Sequence, residues 1–351
     1  MLRRASTLIA AVVLLAAFAV GGLYLPVPYL VASPGLALDT LGEADGEPVI
    51  QVDGADSYAH DGGLSMVTVQ YTGGPGVRMD LFTVLSAWLS PSQAVLPEEA
   101  LFPPDRSVEE ISETQTLEMD DSQTNATAAA LTELGVDYDT EAFVAGVAEG
   151  MPAEGELREG DVVTAVDGEP VGGKDEAVRL VADRAPGDPV EITVDRDGEA
   201  VEAALTTTES DDGTAIVGIM VADDLLFPFD VEISVGDVGG PSAGMMFALG
   251  IMDRLSEESL TGGHEIAGTG TIAADGTVGG VSGVAQKMVS AERLGAEYFF
   301  VAADSCSQTF DSAAAGDIEV VRVERLEDAV GALEAIRGGG APADLPRCEQ
   351  G

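Results

Sequence analysis

The 351-residue chain carries 62 acidic against 16 basic residues, a formal charge of −46, with two lysines, two cysteines and two histidines. So acidic a surface, without a basic patch, excludes nucleic acid as a partner, and two distant histidines with no close cysteine pair leave no metal site to expect. Salt screens charges beyond about 8 Å at physiological ionic strength and more closely at higher salt, so a salt-rich setting is expected.

Residues 5–38 contain no charged side chain. Leu8 through Ala32 is long enough to cross a hydrocarbon core of about 30 Å as a helix. Arg3 and Arg4 precede it, which predicts a cytoplasmic N-terminus and an extracytoplasmic remainder. A cleaved signal peptide is the competing reading, with Ala17-Phe18-Ala19 as its cleavage motif. The apolar run continues well past that motif and favours an uncleaved anchor. Residues 1–33 are therefore expected to be a cytoplasmic stub and transmembrane anchor of a single-pass cell-membrane protein.

Residues 34–120 are expected to form an extracytoplasmic α/β platform. Pro34-Gly35 reads as an exit linker, Val49–Val52 and Met66–Tyr71 as strands, Leu81–Leu89 as a short helix, and Pro103-Pro104 as a break. No catalytic constellation occurs there. From Ser122 to Leu134 an Ala-rich stretch predicts a helix leading into the next domain.

Residues 121–210 read as β-rich. Phe143–Val147 and Val162–Val166 are short strands, and Asp167-Gly168 is a turn signal. Ala177–Ala182 fits a short helix, and Val190–Val194 followed by Asp195–Gly198 fits a strand and hairpin. Gly168-Glu169-Pro170-Val171-Gly172-Gly173-Lys174-Asp175 has the spacing of a phosphate-binding loop until Asp175 replaces the required hydroxyl residue. Together with Gly150-Met151-Pro152-Ala153 and Leu157–Gly168, these segments resemble the core of a bacterial PDZ domain. That resemblance implies binding of extended peptides, often C-termini, beside a sheet edge.

Residues 211–337 read as α+β, with strands at 231–235, 266–272, 298–302 and 318–323 and helices beginning near 242, 284 and 326. Gly239-Gly240-Pro241 turns the chain into Ser242, and Ala243 to Met252 is a nearly all-apolar helix. Ser242 is thus placed at a helix N-terminus, where free N–H groups near Gly240 and Ser242 suit a developing oxyanion. The bland reading is a serine N-cap. Val284, Lys287, Met288, Ala291 and Leu294 form one apolar stripe closed by Gly295. A lysine buried there loses hydration, and lowering its pKa from about 10.4 to about 7.5 takes roughly 4 kcal/mol. The bland reading is an ammonium reaching solvent from an amphipathic helix. A serine hydroxyl needs a base, and a neutral lysine is one.

Gly240-Pro241-Ser242-Ala243-Gly244, Ile266–Ile272, Asp275–Gly280 and Gln286-Lys287 resemble, in order and spacing, the proteolytic domain of the Lon family. The resemblance implies a Ser/Lys dyad with Ser242 as nucleophile and Lys287 as general base, with Thr269 matching the family's threonine near the dyad, while Gly240 is a supporting candidate from its place at the helix N-terminus. It also raises a hexameric assembly. Gly239 stands where an acidic residue usually precedes Gly-Pro-Ser, and Thr271 replaces a common glutamate. No ATPase module is recognised in the chain. The same Gly-x-Ser-x-Gly pattern fits an α/β-hydrolase elbow, but the only later histidine is His264.

Cys306 and Cys348 are the only candidates for a disulfide, which would tie the tail, residues 338–351, to the protease domain. The expected whole is an α+β chain with a transmembrane helix, a platform, a PDZ-like domain and a Lon-type domain. Its expected function is ATP-independent serine endopeptidase action, without cofactor, on unfolded or tail-exposing extracytoplasmic polypeptides. The alternative is a catalytically inactive, membrane-tethered PDZ scaffold.

Overall fold

The computed structural model describes residues 2–24, 26–44, 46–236 and 238–349. Its helices are α1 (Leu2–Tyr24), α2 (Leu81–Trp88), α3 (Val108–Leu134), α4 (Lys174–Ala182), α5 (Gly244–Leu255), α6 (Val284–Leu294) and α7 (Leu326–Arg337). The chain divides into two compact units. One comprises Met1–Val136 with Phe229–Gly351, and the other Asp137–Pro228.

The first unit is built on a six-stranded sheet in the order Glu319–Val323, Tyr298–Ala302, Glu265–Thr269, Gly63–Thr72, Tyr29–Asp39, Ala94–Pro97. The first four strands run parallel and the last two pair antiparallel. Side chains alternate across it. Leu64, Met66, Ile266 and Phe300 pack with α3, α5 and α7, whereas Val67, Ala267, Phe299 and Val301 pack with α6. With both faces covered, Tyr298–Ala302 is buried throughout, as expected of a central parallel strand. The strands of the expected platform therefore share one sheet with those of the C-terminal region. Pairing of Glu265 with Gly63 joins segments about 200 residues apart, a contact that no local pattern announces.

The expected membrane anchor is corrected by this fold. Among the described residues no helix is long and apolar enough to cross a membrane, which overturns the single-pass topology with a cytoplasmic N-terminus and an extracytoplasmic catalytic domain. The physical reason lies in the second half of the uncharged run. Pro26–Val27 pairs with Met79–Asp80, and Tyr29–Asp39 enters the sheet with Leu30, Val31 and Ala32 buried. Leu8 to Tyr24, the helical part of the expected span, measures only about 25 Å at 1.5 Å per residue. Pro34-Gly35 is likewise no linker. It lies inside the Tyr29–Asp39 strand, at a register shift between Pro34 and Ala37 that absorbs the missing proline N–H.

Helix α3 is longer than its Ala-rich part. Ser107 and Glu110 form a reciprocal capping box, and Gly135 ends the helix at φ 70°. The expected strand 266–272 breaks after Thr269. Gly270 donates to the carbonyl of Ser242 and accepts from Met245, so it leaves the parallel ladder. Thr271–Ile272 then pairs with Val278–Gly279.

The second unit is a sheet in the order Glu199–Thr206, Pro189–Arg196, Val162–Val166, Asp139–Val147, Ile219–Leu226, with α4 packed against it. Its last strand lies beyond residue 210, where the domain was expected to end. Leu226 pairs with Asp139, so the unit's two ends are adjacent. Asp167-Gly168 and Asp197-Gly198 both adopt positive φ, as tight Asp-Gly turns require. Asp161, buried, receives Nε and an Nη of Arg196 at 2.7 and 2.6 Å, and that guanidinium holds its carboxyl below the ordinary range.

Candidate active site

Ser242 lies in a turn two residues ahead of α5, which begins at Gly244 with Ala243 as its N-cap. Serine is therefore not the capping residue, and its hydroxyl is directed elsewhere. The turn is fixed from two sides. Helix α3 supplies the carbonyl of Gln115 to the N–H of Gly240 at 3.1 Å, and the hydroxyl of Ser122 to the carbonyl of Pro241 at 3.2 Å. The carbonyl of Ser242 accepts from the N–H of Gly270 and from Oγ1 of Thr269, both at 3.0 Å. Close approach of α3 depends on Gly244, where an added Cβ would stand 2.8 Å from Oγ of Ser122 and 2.7 Å from Ile272. Helix α5 is buried from Gly244 to Asp253, which makes the turn's support rigid.

Lys287 reaches this turn from α6, on the opposite face of the sheet. Its Nζ donates to Oγ of Ser242 at 2.8 Å and to Oγ1 of Thr269 at 2.9 Å. Lys287 is 4 % exposed and Thr269 is fully buried. Val284, Met288 and Ala291 of the predicted stripe are buried with it, while Leu294, at the last turn, is exposed. Gly295 ends the helix at φ 89°. Burial lowers the lysine pKa from 10.5 to about 8, and desolvation is the cause. Despite the charge of −46, no carboxylate of the described residues forms an ion pair with Lys287. The site thus consists of a hydroxyl, an amine at hydrogen-bond distance and a buried threonine that accepts from the amine while donating to the nucleophile's own backbone.

Of the residues singled out in the sequence, Ser242, Lys287 and Thr269 meet at this point. Gly240 is next to it, with φ 87°, but its N–H is donated to Gln115 and is not directed at the hydroxyl. That N–H is therefore engaged within the fold. Gln115 and Ser122 were not singled out. Gln115 lies in the polar half of α3, ahead of the Ala-rich stretch Ser122–Leu134 from which a helix was expected, and Ser122 is that stretch's first residue. Gly239 has a structural reason to lack a side chain, since its Cβ would lie 3.2 Å from Cβ of Gln115. His264 bonds to Glu297 at 3.1 Å and not to Ser242. His60 bonds to Asp253 at 2.9 Å. Among the described residues no group of three or more His, Cys, Asp or Glu is placed to hold a metal ion.

In the second unit an apolar groove of about 90 Å³ runs beside α4, lined by Ala177, Val178, Val181, Ile216, Val217 and Ile219 among others. The strand Ile219–Leu226 ends the sheet there. At the N-terminus of α4 the Asp223 carboxylate accepts from the backbone N–H of Lys174 at 2.6 Å. An internal carboxylate thus takes the place that a phosphate would need in the loop 168–175.

Two family models match the chain. The PDZ domain covers residues 116–207, and the Lon protease (S16) C-terminal proteolytic domain covers residues 201–333. No curated protein matches it. Among solved structures, it is similar to the PDZ domain of the SdrC-like protein Lin2157 from Listeria innocua, at 29% identity over 23% of this chain and 92% of that one, TM-score 0.22. It is also similar to the second domain of the Listeria protein Lin2157, at 32% identity over 25% and 89%, TM-score 0.23. A third is GtR34C from Geobacillus thermodenitrificans, at 31% identity over 22% and 92%, TM-score 0.21.

Proposed function

We propose that this chain, which joins a PDZ domain to a Lon protease C-terminal proteolytic domain, is an ATP-independent serine endopeptidase with Ser242 as nucleophile and Lys287 as general base. The observation that carries the reading is the 2.8 Å contact between Nζ of a 4 %-exposed lysine and the serine Oγ. Deprotonated Lys287 accepts the hydroxyl proton along that line while one of its own N–H groups donates to Thr269. Ser242 Oγ attacks the scissile carbonyl, and the developing oxyanion is met by the N–H groups of Ser242 and Ala243, for which no acceptor occurs among the described residues. Protonated Lys287 then gives its proton to the leaving amine, and water, activated by the same amine, hydrolyses the acyl-enzyme. Only water is consumed.

A serine-directed phosphonate probe tests this directly. Modification should fall on the peptide containing Ser242, with a rate that rises about tenfold per pH unit below 8 and levels off above it, because the amine acts only when neutral. Modification elsewhere, or a rate independent of pH between 6 and 9, would overturn the assignment. A protein that binds peptides but neither reacts nor cleaves would be a PDZ binding module instead.

Polypeptides are recruited by the PDZ domain, an extended tail adding to the Ile219–Leu226 edge with an apolar side chain in the adjoining groove. Binding there raises the effective concentration of the same polypeptide at Ser242. Because Asp139 and Leu226 are neighbours, residues 137–228 can be replaced by a short linker. Cleavage of short untailed peptides should survive within a few-fold, whereas KM for a tailed, unfolded polypeptide should rise by tenfold or more. An unchanged KM for the tailed substrate would remove recruitment.

A further inference from the structure

Helix α6 has no side-chain cap of its own, for its N-cap is Gly283 at φ 73°. The first N–H groups of a helix need partners, and here one comes from a distant segment. The 3₁₀ stretch Ala303–Asp311 crosses the start of α6. Oε1 of Gln308 accepts from the N–H of Val284, the first residue of α6, at 3.3 Å, and its Nε2 donates to the carbonyl of Val281 at 2.7 Å. Ser305 grips Val281 as well, its Oγ accepting from the N–H at 2.8 Å and donating to the carbonyl at 2.9 Å. Just beyond, Ser312 donates to the carbonyl of Ala285 at 2.8 Å. Cys306 of the same stretch packs with Val284 and Met288 and is bridged to Cys348.

We propose that Gln308 is a positioning residue for the Ser242–Lys287 pair, capping α6 from outside and fixing where the helix presents its lysine, with Ser305 and the Cys306–Cys348 bridge holding the capping segment in place. The inference rests on the dyad reading. Lys287 is in the first turn of α6, and its own N–H closes that turn onto Gly283 at 3.0 Å. A flexible side chain on a frayed turn loses both its alignment with Ser242 and its dryness, and a misplacement of about 1 Å at a reacting pair costs on the order of 100-fold in rate.

The test is Gln308→Ala and the near-isosteric Gln308→Met in the full chain, with kcat, KM and the pH–rate profile measured on a short peptide beside Ser242→Ala and Lys287→Ala. Both Gln308 variants should lose roughly 10- to 100-fold in kcat with KM changed less than twofold, and the midpoint of the profile should move upward from about 8 as water reaches the amine. A residue that merely supports the fold would not move that midpoint. If Ser242→Ala and Lys287→Ala abolish cleavage while Gln308→Met leaves kcat and midpoint unchanged, the positioning role is wrong and the dyad stands. Full activity in Lys287→Ala would overturn both.

Discussion

Replacing Ser242 or Lys287 by alanine should each lower peptide cleavage by about 10⁴-fold, with the double variant no worse than either single one, because a nucleophile and its base act as one unit. Stability should move the other way for the lysine. Its folded pKa is near 8 against an ordinary 10.5. Below pH 8 the amine is protonated in both states, and burying the ammonium costs about 3 kcal/mol, since a tenfold change in a protonation equilibrium corresponds to about 1.4 kcal/mol. Between pH 8 and 10.5 the folded protein sheds its proton first, so the cost shrinks as pH rises and is gone above 10.5. Lys287→Met, which keeps the volume and removes the amine, should therefore gain up to about 3 kcal/mol at pH 7 and lose that advantage at about pH 10.5. The hydrogen bonds to Ser242 and Thr269 disappear in the variant at every pH and reduce the gain uniformly. Denaturant unfolding at the two pH values reads the difference. A gap that does not change with pH would mean that amine burial is not its source.

Removing the Cys306–Cys348 disulfide, by reduction or by paired alanine substitution, should lower stability by about 4 kcal/mol. The bridge closes a loop of 42 residues, and the chain-entropy relation gives that value for such a length. The tail it secures also has native contacts. Leu345 is buried in the main core, the carbonyl of Pro346 accepts from the N–H of Arg322 at 3.0 Å, and Arg347 lies 3.3 Å from Glu319. The tail therefore covers the outer edge of the strand Glu319–Val323, an edge otherwise open to pairing with another chain. Without the bridge these contacts open more often, and amide exchange at Arg322 should accelerate together with the fall in unfolding midpoint. An unchanged midpoint under reducing conditions would show that the local contacts alone hold the tail.

The proposed pair, Ser242 and Lys287, was legible because its signals are local. A stripe at 284, 287, 288 and 291 ending in Gly295 marks a helix whatever it packs against, although burial of its lysine is decided by the fold, and Gly240-Pro241-Ser242 before an all-apolar run marks a turn into a buried helix. The Asp-Gly turns and alternating strands of residues 139–206 were legible for the same reason. The N-terminal run was ambiguous by nature. Uncharged apolar residues serve a membrane helix and a buried strand equally, and Leu30 to Ala32 became a strand because an antiparallel partner, Gly63–Thr72, was available in the folded chain.

By itself the sequence marked the serine and the lysine of the proposed dyad and the helices around them, and its motifs pointed to a PDZ domain joined to a Lon-type proteolytic domain. Tertiary structure alone decided that the strands at 63–72 and 265–269 lie side by side, that α3 and α6 close on the Ser242 turn from opposite faces of one sheet, and that the N–H of Gly240 is committed to Gln115. Periodicity and turn chemistry act over a few residues and leave a trace in composition. Pairing across about 200 residues is selected by the summed burial of the whole core, which no short segment records.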